Sequence, residues 1–195
     1  LLSVLVVSLV GVLIFSNGGI EAETSSQIIK SSSYTDPENK FSIEYPINWI
    51  VKQEVNEDHD LTGFLEGDSY TFLGLTFFSF QDTLDDSTKL NAMKKWALAE
   101  QEENGYLNFA ITENKILKLD ANRKAFLVNY TWQENNHSMF SLMANIYYEN
   151  MSWIIMTQSN DPKDNSNIFL PMIKSFRLLG TTDSIQTPNP TTVTQ

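Results

Sequence analysis

The stretch Thr71–Phe80, TFLGLTFFSF, has no charged residue and is rich in β-branched and aromatic side chains. A strand this apolar on both faces normally lies inside a sheet with cover on either side. The rest of the chain must therefore supply neighbouring strands and two covering layers.

The flanking sequence offers both. Phe41–Tyr45 alternates Phe41, Ile43 and Tyr45 with Ser42 and Glu44, after a turn signal at Asp36-Pro37-Glu38-Asn39. Trp49–Val55 reads as the next strand, paired with the first around a Pro46-Ile47-Asn48 turn as an opening hairpin, and Thr62–Leu65 as a short third. After the central run, Asp85, Asp86 and Ser87 provide cap oxygens and negative charge for a helix N-terminus. Leu90, Met93, Trp96 and Ala97 then recur at helical spacing, which leaves Lys89, Lys94, Lys95 and Glu100 for the outer face, until Asn104-Gly105 ends the helix. Phe109–Leu119, Lys124–Gln133, Ser138–Tyr148 and Trp153–Ser159 follow as a meander, separated by turn-rich segments. Asp161-Pro162 introduces a second helix with Ile168, Phe169, Met172, Ile173 and Phe176 as its stripe and Pro171 in its first turn. The pattern predicts an α+β fold: an α/β/α sandwich with a central antiparallel sheet covered by helices.

Both ends differ from this core. Leu1–Phe15 is uncharged and apolar, and fits either a cleaved signal peptide or an N-terminal membrane anchor. The expected divisions are 1–22 for that segment, 23–33 for a polar linker, 34–179 for the folded domain and 180–195 for a Thr/Pro-rich disordered tail. The domain then lies outside the cytoplasm, secreted or held at the outer face of the cytoplasmic membrane. The sequons at Asn129, Asn136 and Asn150 agree with that compartment.

The segment from Tyr34 through Phe41-x-Ile43-x-Tyr45-Pro46-x-x-Trp49, together with Met172-Ile173-Lys174-Ser175-Phe176 near the end, resembles PsbP-like domains. That family is named after an extrinsic subunit of the photosystem II oxygen-evolving complex. The resemblance covers about Ser31 to Leu179 and is nearer to prokaryotic and archaeal members than to the plant subunit, whose basic docking character this chain lacks. It implies an α/β/α sandwich around an antiparallel sheet, a last short strand after the closing helix, export, and a non-enzymatic role. The photosystem role is not carried over.

Composition removes several chemistries. There is no cysteine, hence no disulfide framework, thiolate metal site or cysteine nucleophile. A net charge of −11 argues against nucleic acid, whose phosphates need clustered Lys and Arg. Between Lys52 and Lys89 stand Glu54, Glu57, Asp58, Asp60, Glu66, Asp68, Asp82, Asp85 and Asp86 with no Lys or Arg, which predicts one anionic edge. Neither histidine stands in a recognisable serine-hydrolase pattern, and no glycine-rich phosphate loop is present.

Within the acidic stretch, Glu57, Asp58, His59 and Asp60 are the candidate metal ligands, combining hard oxygens with an imidazole suited to Ca, Mn or Zn. Their spacing matches no defined metal loop, and an exposed polar loop explains them equally. Tyr130, Trp132, Tyr147, Tyr148 and Trp153 fall on adjacent predicted strands, where core packing is the expected role and an exposed carbohydrate or protein surface the alternative. The reading favoured is a non-catalytic exported module that binds a protein partner and a divalent cation. The alternative is a secreted carboxylate-dependent hydrolase or carbohydrate-binding protein, recognisable by two carboxylates about 5–9.5 Å apart in a cleft.

Overall fold

The computed structural model describes residues 30–38, 40–55, 60–67, 71–79, 84–148 and 151–179. Among these residues ten strands run in chain order: β1 Ser31–Thr35, β2 Phe41–Pro46, β3 Ile50–Val55, β4 Asp60–Leu65, β5 Phe72–Ser79, β6 Leu107–Lys118, β7 Lys124–Glu134, β8 His137–Tyr148, β9 Met151–Gln158 and β10 Arg177–Leu178. Helix α1 spans Asp86–Asn104, and a π-helical turn, Asn165–Phe169, leads into α2, Leu170–Ser175.

Seven strands form one antiparallel sheet in the order β3-β4-β5-β9-β8-β7-β6, and β1-β2-β10 form a small second sheet. The meander of β6 to β9 is as the sequence predicts. Its β7–β8 turn, Asn135-Asn136, has both residues at positive φ (49° and 65°), the two-residue geometry that matches the twist of paired strands. Strand β5 closes against β9 over its full length, from Phe72 opposite Gln158 to Ser79 opposite Met151.

The opening hairpin does not form as expected. β2 pairs with β1 and β10 in the small sheet, while β3 joins β4 at the edge of the large one. The Pro46–Trp49 turn, closed by Trp49 N–H donating to the Pro46 carbonyl at 2.9 Å, carries the chain between layers. The hairpin partner of β2 is β1, whose Ser31–Ser33 fall in the stretch expected as linker and whose Tyr34 and Thr35 open the expected domain. Asp36 shapes that turn: its carboxylate accepts from the backbone N–H of Glu38 and of Lys40, each at 3.1 Å.

Two cores result. Between the large sheet and the layer of small sheet plus α2 lie Phe41, Ile43, Trp49, Phe64, Leu73, Leu75, Trp153, Ile155, Phe169 and Phe176. The Phe41 and Phe176 rings stack at 5.5 Å, and Trp153 meets Phe176 at 5.8 Å. Burying each such side chain contributes about 1.5–3 kcal/mol. The short β10 and the Ser175 hydroxyl, which accepts from Glu44 N–H at 2.8 Å, fix the α2 end onto β2. Pro171 is the second residue of α2, and the π-helical turn Asn165–Phe169 runs into that helix without a break. On the opposite face of the sheet, α1 buries Met93 and Ala97 against Phe126, Val128, Tyr130, Trp132, Met139 and Met143.

Over Thr71–Thr76, the part of this run whose side chains are described, the cover is one-sided. Leu73 and Leu75 are buried, but Phe72, Gly74 and Thr76 on the other face are only half-buried. Helix α1 packs on β6, β7 and β8, so the same face of β3 to β5 has less above it than that apolar run leads one to expect.

Candidate functional site

Helix α1 positions Lys89, one of two charged side chains buried among the described residues. Asp85 caps it, its carboxylate accepting from Thr88 N–H at 2.8 Å and the Ser87 hydroxyl at 2.7 Å, and these bonds hold its carboxyl below the usual range. Gly105, at φ 63°, ends it in the left-handed conformation a side chain would resist. Lys89 is not on the outer face. It is 7% exposed, and its Nζ lies 4.8 Å from the Tyr147 ring centroid and 5.7 Å from that of Phe126. The sequence held the signal, since Lys89, Met93 and Ala97 stand four residues apart on one stripe.

Below Lys89 is a hydrogen-bonded chain on the sheet. Ser152 Oγ donates to Asn145 Oδ1 at 2.8 Å, and Asn145 Nδ2 donates to Tyr147 Oη at 3.1 Å. Asn145 and Ser152 are 5% and 4% exposed, so the bonds offset the cost of burying both. At the helix entrance Lys124 pairs with Asp86.

The other end of α1 is acidic and aromatic. Tyr106 stacks on Trp132 at 4.6 Å, and Trp132 on Tyr130 at 5.5 Å. Burial pushes the Tyr130 phenol up to about 12, and raises that of Tyr106 still further, helped by the neighbouring Tyr130, Glu100 and Glu134. Burial and the charge of Glu103 raise Glu100 as well, while Asn104 Nδ2 donates to its carboxylate at 3.1 Å.

A third polar cluster sits where β9 leads into the π-helical turn. The Ser159 hydroxyl donates to Asp164 and accepts from Asp161 N–H at 3.0 Å. Burial raises the Asp164 carboxyl, the Ser159 bond opposing it and the Asp161 charge adding to it.

The aromatic residues singled out in the sequence divide between the two cores. Tyr130, Trp132 and Trp153 are buried, and Tyr147 and Tyr148 half-buried. Tyr130, Trp132 and Tyr147 face α1, whereas Trp153 and Tyr148 face the small sheet, so they form no single row.

Of the metal candidates, Asp60 opens β4 opposite Val55, and Glu57, Asp58 and His59 lie outside the described residues. Asp68 and Asp82 also lie outside them. Among the described residues, no three acids or histidines are grouped to hold a metal ion. Of the sequons, Asn136 is exposed in its hairpin turn. Asn129 is half-buried within β7, with Nδ2 donating to Glu113 at 2.8 Å, and Asn150 lies outside the described residues. His137 is exposed at the start of β8.

A large antiparallel sheet, one long helix on its meander face, and a short closing helix followed by a last strand on the other define a PsbP-like fold. The chain is similar to the solution structure of cyanobacterial PsbP (CyanoP) from Synechocystis, with a TM-score of 0.60, over 83% of this chain and 99% of that one, at 9% sequence identity. A protein from Bacteroides thetaiotaomicron aligns with 75% of this chain and 47% of its own, at 14% identity and a TM-score of 0.47. A protein of unknown function from Pseudomonas aeruginosa aligns with 70% of this chain and 86% of its own, at 16% identity and 0.39. No family model matches the chain, and no curated protein matches it.

Proposed function

We propose that this chain is a non-catalytic, exported PsbP-like module at the outer face of the cytoplasmic membrane, which binds a protein partner there and takes a divalent cation on its acidic stretch. The observation that carries the reading is the PsbP-like fold spanning most of the chain behind an uncharged apolar leader. The layer order of α1, large sheet, and small sheet with α2 is, in this reading, the chain's own version of the α/β/α sandwich. Burial of Tyr130, Trp132 and Trp153 supports this reading over carbohydrate binding by an exposed row of those aromatics. Of the two described sequons, Asn136, exposed in its turn, is the better placed to carry a glycan.

The ion at the acidic stretch would be Ca, Mn or Zn, held by Glu57, Asp58, His59 and Asp60. The test is affinity capture from native membranes with the full chain as bait, alongside thermal melts with and without each ion. Recovery of a defined partner, and a melting shift abolished by Asp58→Asn with His59→Gln, supports the proposal. Melts unmoved by every ion overturn the cation site, and capture of nothing above background overturns the partner.

A further inference from the structure

The chain enters the fold at one corner of the molecule. Ile47 N–H donates to the Lys30 carbonyl at 2.9 Å, which ties the start of the described chain to the turn between β2 and β3. That turn carries Ile47, 62% exposed, and Ile50 just beyond it is 52% exposed. Leu65 and Phe72, both half-buried, continue from Ile50 as direct cross-strand neighbours on the sheet face that α1 leaves to β3–β5. Large aliphatic side chains gathered at a surface normally mark a contact.

Two further observations identify the contact. The corner carries exposed Lys30 and Lys52 in a chain whose net charge is −11, with Glu66 the acid adjoining Leu65. Isoleucines flanked by lysines are the composition of a segment resting on an anionic lipid interface. The second is tether length. From Phe15, the end of the apolar leader, to Lys30 there are 14 intervening residues, which span at most about 50 Å fully extended. An anchored leader therefore holds this corner within about 50 Å of the bilayer, as the point where the fold is attached.

We infer that the corner formed by Lys30, Ile47, Ile50 and Lys52 rests on a lipid surface and sets how the domain is presented above the membrane. The inference depends on the anchored form of the proposed function. It adds an orientation, with the β6–β7 turn at the opposite end of the sheet pointing away.

The absence of cysteine makes the test direct, because any introduced cysteine is unique. Full chains carrying Ile47→Cys, Ile50→Cys or, in the β6–β7 turn, Asn122→Cys are labelled with an environment-sensitive fluorophore. They are then reconstituted into vesicles of phosphatidylcholine and phosphatidylglycerol containing a lipid-borne quencher. Quenching at 47 and 50 should exceed that at 122 by about threefold or more, since an interfacial side chain sits within roughly 5–10 Å of the acyl boundary. Equal quenching at all three positions, in chains that float with the vesicles, overturns the inference and leaves anchoring intact. Chains that fail to float overturn both. If a labelled variant does not fold, hydrogen exchange on the unmodified chain decides instead: slowing at 47–52 on vesicles supports the inference, and unchanged exchange there overturns it.

Discussion

The Lys89 ammonium lies 4.8 Å from the Tyr147 ring centroid, inside the interface between α1 and the sheet. A cation on an otherwise apolar stripe is held there by the negative face of the ring, a contact of about 0.5–2 kcal/mol. Its aliphatic stem adds packing of its own.

Lys89→Met keeps the stem and removes the charge, and Lys89→Ala removes both. Urea unfolding should show Lys89→Met losing about 1 kcal/mol and Lys89→Ala about 2 kcal/mol. Two neutral variants would mean that this lysine does not help to hold α1 in place.

Phe176 connects the small sheet to the large one through Phe41 and Trp153. Phe176→Ala should cost about 3–5 kcal/mol, because a fully enclosed ring leaves a cavity the surroundings only partly fill. A double-mutant cycle with Phe41→Leu should show coupling of about 0.5–1.5 kcal/mol beyond the separate losses, and strict additivity would contradict the stacking.

The glycines divide by conformation. A Cβ on Gly63 or Gly74 would meet Leu65 or Leu61 at 3.6 and 3.5 Å, ordinary contact distances. Gly63→Ala and Gly74→Ala should therefore each stabilise by about 0.5–1 kcal/mol. Gly105→Ala, at φ 63°, should destabilise by about 1 kcal/mol. Thermal melts of the three variants check the opposite signs.

Two pH effects follow from the buried groups. Tyr130 ionises at about 12 in the fold, against about 10 in an unfolded chain. Its contribution is complete below pH 10 and is lost as pH rises through 12. Phenolate absorbance should show this tyrosine silent until that range, and Tyr130→Phe should flatten the alkaline loss of stability.

Asp164 is also raised, so its protonated form is the one the fold prefers. Its contribution is present below the unfolded value of about 3.9 and is lost as pH rises through the folded one. Unfolding of wild type and Asp164→Asn, compared at neutral pH and near pH 4, should shift in favour of wild type on acidification. An unchanged difference would rule this out.

Local chemistry was legible in the chain wherever a residue's role depends on its near neighbours. The Asp85 cap, the Gly105 stop, the Asp36 turn and the β6–β9 meander all stand where sequence places them, because each is settled largely by near neighbours. Lys89 is buried, against the outer-face expectation, because its place on the Met93–Ala97 stripe outweighs its charge. The candidate metal stretch was legible only as composition, since ligand geometry depends on how the loop closes.

What the sequence by itself determined is most of the segments that become strands and helices, and which side chains are apolar enough to require cover. Only the tertiary structure decided that β2 and β3 part into different layers, that polar Ser31–Thr35 becomes the strand beside β2, and that α1 covers one half of its sheet face. A strand's alternation records which face is buried but not which neighbour buries it, and that choice is made by how all the layers pack together.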